Sequence, residues 1–272
     1  MKQPKAVFAV MACCVFGSSG ALAEGTPLTD LSLDELVKME VTSVSRKAQR
    51  LSDTAAAVTV LSREDIRRTG ARSIPEALRA VPGVEVAQIG SGRWAVSIRG
   101  FNSRFANKLL VQVDGRSVYT PAFSGVLWET IAPVMEDIER IEVIRGPGAA
   151  LWGANAVNGV INIVTRKAAA TRGTLVSTSI DDQGRPEVAA RYGFSLADNL
   201  DARVFARSVN KSPAENAAGN SLGDRQRGWH AGFRLDRSRD GSEGWSVQGE
   251  AYDQQSPERQ FGAGGLEKAE FE

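Results

Sequence analysis

The sequence predicts an α+β domain followed by a run of antiparallel β-strands, and three observations carry the prediction. From Ala55 the chain alternates short capped helices with apolar strand patterns. Between Ile138 and Lys167, two β-branched runs flank a long segment rich in Gly, Ala and Asn. After Lys167, apolar and polar residues alternate with period two, the signature of strands that bury one face. The chain of 272 residues, 42% hydrophobic, can bury one large core or two smaller ones, as expected of a globular or barrel protein. Its 33 Lys and Arg nearly balance 32 Asp and Glu, so no overall field draws it to nucleic acid or to an anionic membrane surface.

Residues 1–23 read as an export signal. Lys2 and Lys5 precede an apolar stretch from Ala6 to Phe16, and small residues come after it, ending in Ala21-Leu22-Ala23. A buried helix is the alternative, and Gly17, Ser18, Ser19 and Gly20 would end it abruptly. Lipid attachment through Cys13 is another, poorly prepared by Met11 and Ala12. Both cysteines, Cys13 and Cys14, fall in the signal, so a chain starting at Glu24 has no disulfide, thiolate nucleophile or Cys-metal site. After the signal no apolar run approaches the roughly 20 residues of a spanning helix, so membrane residence requires strands or an attachment.

Residues 24–50 form a lead segment with one amphipathic turn, Leu31 to Leu36. Within it Glu40, Val41, Thr42, Ser43 and Val44 place β-prone residues after an acid, which suits a peptide that adds to another protein's sheet edge, or any short strand. Ala57 to Leu61 reads as a strand. Ser62 to Asp65 offers an N-cap with an acid three positions on, starting a helix that Gly70 ends. Ser73 to Glu76 repeats the device with Pro75 in the first turn, and Pro82-Gly83 stops this second helix. Val84 to Ala87, Ala95 to Ile98, Leu109 to Val113 and Ser117 to Tyr119 are further strands, with Asp114-Gly115 a hairpin signal between the last two. Ile138, Ile141, Val143 and Ile144, then Val160, Ile161, Ile163 and Val164, make two strands, and Gly146, Pro147, Gly148, Gly153 and Gly159 permit turns between them.

Beyond Lys167, Val188, Ala190, Tyr192, Phe194 and Leu196 alternate with Ala189, Arg191, Gly193 and Ser195. The scheme recurs from Leu200 to Arg207, Trp229 to Asp236 and Trp245 to Tyr252. One face is apolar and the other charged, which fits strands between lipid and a wet lumen, and equally a soluble sheet over a core.

The residues argue against an enzyme. His230 is the single histidine, on the polar side of a strand, so a histidine triad has nothing to build on. Gly146-Pro147-Gly148 with Gly153 lacks the succeeding helix of a dinucleotide loop, and there is no phosphate-binding G-x-x-x-x-G-K-[ST] sequence. Acidic pairs such as Asp181-Asp182 and Glu136-Asp137 sit at turns. No cofactor or metal is expected.

Val81-Pro82-Gly83-Val84, Ser97-Ile98-Arg99-Gly100-Phe101, Leu110-Val111-Gln112-Val113-Asp114-Gly115 and Ile141-Glu142-Val143-Ile144-Arg145-Gly146-Pro147 occur in an order that resembles TonB-dependent receptor plugs. The resemblance implies an α+β plug domain over residues 51–167, followed over 168–272 by the first antiparallel transmembrane strands of an outer-membrane β-barrel. In that family the plug fills a 22-stranded barrel. It implies as partners periplasmic TonB with its inner-membrane ExbB/ExbD complex, outer-membrane lipid, and a scarce ligand, most often a ferric siderophore. Glu40 to Val44 is then the TonB box, although Ser43 stands where a hydrophobic residue is common. Arg99 and Arg145 are expected to pair with carboxylates of the barrel wall as a plug–barrel lock. Arg93, Trp94, Arg104, Phe105, Tyr119, Phe123 and Trp128, on apical loops, are the expected ligand contacts.

About five strands at roughly ten residues each come after Lys167, and an open sheet cannot sit in lipid. The sequence is therefore expected to be a truncated product or partial record of a longer receptor, with an incomplete barrel. A truncated periplasmic module that binds ligand or TonB without transport is the alternative. The short span between Ala23 and the first plug strand leaves no room for an added signalling domain, so plain uptake is expected.

Overall fold

The computed structural model describes residues 40–41, 49–50, 57–146, 152, 155–181, 183–216, 218–239, 242–262 and 265–269. The expected export signal, and Thr42, Ser43 and Val44 of the expected box, lie outside them. The two remaining box residues form β1 (Glu40–Val41), paired antiparallel with β2 (Gln49–Arg50).

β3 (Ala57–Ser62) leads directly into helix α1 (Arg63–Thr69). The cap is the one the sequence specifies: Ser62 Oγ accepts from Asp65 N, Asp65 Oδ2 accepts from Ser62 N, and Gly70 closes the helix at φ 66°. Helix α2 (Ile74–Leu78) departs from expectation at its start. The Ser73 hydroxyl donates to the Glu76 carboxylate and makes no cap bond to the backbone, while Glu76 accepts from Arg72 N one residue earlier.

A hairpin of β4 (Val84–Gly90) and β5 (Arg93–Ile98) comes next, then β6 (Leu109–Val113) and β7 (Arg116–Ser117). A small ladder of β8 (Tyr119–Thr120) and β9 (Gly125–Val126) precedes β10 (Ile138–Arg145) and β11 (Gly159–Thr165). The expected strand Ser117–Tyr119 thus splits between β7 and β8, which belong to different sheets.

The main sheet has the order β3-β10-β11-β6-β7, antiparallel except for β11 beside β6. Both its faces are covered. Ile141, Val143, Ile161, Ile163 and Val111 point to α1, α2 and the β4–β5 hairpin, while Ile144, Val160 and Leu110 pack with Ala156 on the other side. Each fully buried isoleucine contributes about 1.5–3 kcal/mol. This two-sided burial explains why the sequence there is a continuous β-branched run instead of an alternation.

The second body is a meander: β12 (Gly173–Ile180), β13 (Pro186–Ala197), β14 (Leu200–Lys211), β15 (Gln226–Arg239) and β16 (Ser242–Gln255), each antiparallel to the next. Its parity matches the sequence pattern. Arg191, Arg203 and Arg234 are buried against the first body, His230 is buried on the same side between Phe205 and Tyr252, and Val188, Tyr192, Val204, Trp229, Phe233, Trp245 and Val247 are exposed on the reverse. There Phe233 lies across Gly249 of the next strand, so close that a β-carbon on the glycine would sit 2.5 Å from the ring. Only residues 198–199 and 240–241 join strands at one end of the sheet, whereas residues 212–225 join β14 to β15 at the other.

Candidate functional site

The two bodies meet along a charged seam built from the inward side chains of β13, β14 and β15. Period two aims Arg191, Arg203 and Arg234 at the same side, and three elements of the first body receive them. Arg191 donates to Asp137 Oδ1 at 2.9 Å, and Arg203 lies 3.7 Å from Asp137 Oδ2. Arg203 also donates to Arg166 O at 2.8 Å and to Thr165 Oγ1 at 3.1 Å. Arg234 donates to Thr165 Oγ1 at 2.9 Å and to Asp114 Oδ2 at 3.1 Å.

Asp114 ties the seam together. It sits at φ 49° in the turn after β6, a left-handed conformation that Asp tolerates. Its carboxylate accepts from Thr165 N and Thr165 Oγ1, both at 2.7 Å, and from Gln248 of β16 at 3.1 Å. The same end is held by Asp236, which accepts from Ala168 N at 2.6 Å. Burial pushes the Asp137 carboxyl above its ordinary value, against the opposing pull of Arg203, Arg191 and Arg166. The seam is therefore polar and hydrogen-bonded, and water can replace its contacts one by one if the bodies part.

At the opposite end of the sheet the loops between β5 and β6 and around β8–β9 come together. β6 and β11 run parallel and both end at the seam, which puts Lys108 and Asn158 at their far ends. Here Phe105 stacks on Phe123 with centroids 5.5 Å apart, Arg104 lies 5.0 Å over Phe105, and Arg104 pairs with Glu129 at 3.1 Å. Beside them a cavity of about 390 Å³ is lined by Phe101, Ser103, Phe105 and Lys108 among others. Lys108 stands 3.9 Å from the Phe101 ring, which is 74% exposed. Arg99, Gly100 and Phe101 are three successive residues of positive φ, a strained run that turns the Phe101 ring outward.

Of the expected ligand contacts, Arg104, Phe105 and Phe123 are brought together, and Tyr119 is half-buried on the adjoining ladder. Trp94 and Trp128 are not with them. They are 3% and 4% exposed in the first body's core, because apolar rings on β5 and beside β9 point toward α2 and the main sheet. Arg93 is turned to the second body, where it pairs with Asp224 at 3.0 Å.

Arg145 donates to Pro82 O at 3.2 Å, and Arg99 lies against Gly146, so the two expected lock arginines are neighbours across the end of β10. Neither forms an ion pair among the described residues. Two other first-body arginines do reach acids of the second body, Arg93 to Asp224 and Arg116 to Glu250, while the ion pairs of the seam run the other way, from arginines of the sheet to acids of the first body. The sequence signal for them was present as charged residues on the polar parity of β13, β14 and β15, and Asp114 was legible only as a turn residue.

Residues 50–160 match the family model described as the TonB-dependent receptor plug domain. The chain is 37% identical over 166 residues to a vitamin B12 transporter BtuB of Vibrio vulnificus, covering 60% of this chain and 26% of that protein. To the protein of the same name from Vibrio cholerae it is 30% identical over 231 residues, covering 82% of this chain and 36% of the relative. Among solved structures, the ferric-catecholate import receptor Fiu of Escherichia coli K12 superposes with a TM-score of 0.61 at 19% identity, over 84% of this chain and 32% of that one. The chain thus spans about a third of the length of the proteins it is similar to.

Proposed function

The chain belongs to the TonB-dependent outer-membrane receptors, and from this we propose that residues 51–167 serve as the plug and residues 168–272 as the first wall strands of a transporter. The whole receptor captures a scarce metal chelate at its outer end and releases it inward when TonB, energised by ExbB/ExbD, draws on the lead segment at Glu40 to Val44. The single observation that carries the reading is the seam. A body with its own apolar core is held to a sheet by water-replaceable polar contacts, while the reverse of that sheet is apolar and exposed, as lipid requires.

The ligand is of the siderophore or vitamin B12 class. A ferric siderophore suits the cationic and aromatic cluster of Arg104, Phe105, Lys108 and Phe123, and the relatives named for vitamin B12 make a corrinoid its direct competitor. Arg99 and Arg145, lacking an acid partner among the described residues, are available for the wall carboxylates expected of the lock. The test is accumulation of cyanocobalamin and of individual iron-loaded siderophores by cells with and without the full-length gene. TonB-dependent accumulation of one of these is expected; equal accumulation of all of them in both strains would remove the uptake reading.

A further inference from the structure

The tip of the β4–β5 hairpin is hydrogen-bonded to both ends of the connection between β14 and β15. Asp224, at the end of the connection from β14 to β15, accepts from Ser91 N at 2.8 Å and Arg93 Nη2 at 3.0 Å through one oxygen, and from Ala214 N at 2.8 Å through the other. Ser91 Oγ donates to Ser212 O at 2.7 Å and accepts from Gln226 N at 3.3 Å. Asp181, in the neighbouring connection, accepts from Ser212 N at 3.0 Å and from the Ser212 hydroxyl. The Arg93 and Asp224 side chains are 8% and 2% exposed, so the pair is taken out of water. Gly90 and Gly92 leave no room for a β-carbon: it would overlap Arg93 and Asp224 in one case and Gln226 in the other.

Ser212 from the start of the connection, Asp224 from its end and Gln226, the first residue of β15, therefore meet on one plug tip, with Ala214 joined to them through Asp224. We propose that this tip is what holds the β14–β15 connection in place, so that displacing the plug releases the connection at the mouth of the receptor. Arg93 is then a positioning residue that joins plug to wall, not a ligand contact. Losing a buried charge-assisted contact leaves its partner unpaired, which favours the open form by about tenfold or more. The reading rests on the proposed function only for which end faces outward, since long connections are external and short turns periplasmic.

The test is trypsin cleavage after Arg225 in the full-length receptor on intact cells, with folding of the barrel followed by its heat-dependent migration in gels. Asp224→Asn and Arg93→Met are each expected to speed cleavage about tenfold, and the double variant to fall well short of the product of the two, because the singles share the Arg93–Asp224 contact. Unchanged cleavage in Arg93→Met overturns the proposal, as does additivity in the double variant. Failure of Arg93→Met to insert does so too, since a fastener of one connection is not needed for barrel assembly. Cleavage after Arg225 only in disrupted cells would refute the outward assignment and leave the fastener to be read from the same variants there.

Discussion

Thr165 shows how much one side chain can join. Its hydroxyl donates to Asp114 and accepts from Arg203 and Arg234, linking β11 and the turn after β6 to β14 and β15. Valine has the same shape and none of these bonds. Thr165→Val is expected to lower plug stability in the full-length receptor by about 1–3 kcal/mol, read from the urea midpoint, because Asp114 and the guanidinium groups lose a buried partner. An unchanged midpoint would mean that water takes the hydroxyl's place. Asp137 gives a pH test. Its folded-state pKa lies above the ordinary 3.8, so as pH falls the folded state binds the proton before the unfolded state does. Its contribution to stability therefore grows as pH falls through the raised value and levels off below the ordinary one. The midpoint of the wild type is expected to rise relative to Asp137→Asn as the pH is lowered from neutral toward the ordinary 3.8. A fall would show that Arg203 and Arg191 outweigh burial.

At the scale of elements, the sequence reads well where a rule is local. The Ser62, Asp65 and Gly70 cap of α1 is complete within one helix, and the parity of β13 to β16 comes from alternation alone. Parity says which face a residue takes and nothing about what it meets there, so Arg191, Arg203 and Arg234 were legible as inward but their acids were not. The Ser73 cap failed for a related reason. Its geometry depends on where Glu76 lies, and Glu76 also binds the backbone of Arg72. Trp94 and Trp128 looked like loop aromatics because their loops were visible in sequence and the core beneath was not. The outward face of β14 offers a direct check: Val204→Arg is expected to cost about 2–4 kcal/mol on folding of the full-length receptor into lipid vesicles, as for a cation near the bilayer middle. A cost near zero would place this face away from lipid.

The molecule as a whole is held by two kinds of chemistry. Within the plug, apolar packing around Ile141, Val143, Ile161 and Ile163 makes unfolding costly, whereas the seam consists of hydrogen bonds that solvent can replace. Val41→Pro in the full-length receptor is expected to abolish uptake and leave ligand binding intact, because proline removes a backbone donor from the strand pairing proposed for TonB. Normal uptake in that variant would move the box elsewhere.

Farther out, the ring of Phe233 lies across Gly249 with no room for a β-carbon beneath it. Phe233 remains 41% exposed, so its ring forms part of the apolar reverse of the sheet. A glycine on one strand thus sets the relief of its neighbour: Gly249→Ala would force the Phe233 ring to shift and change the contour of that apolar face.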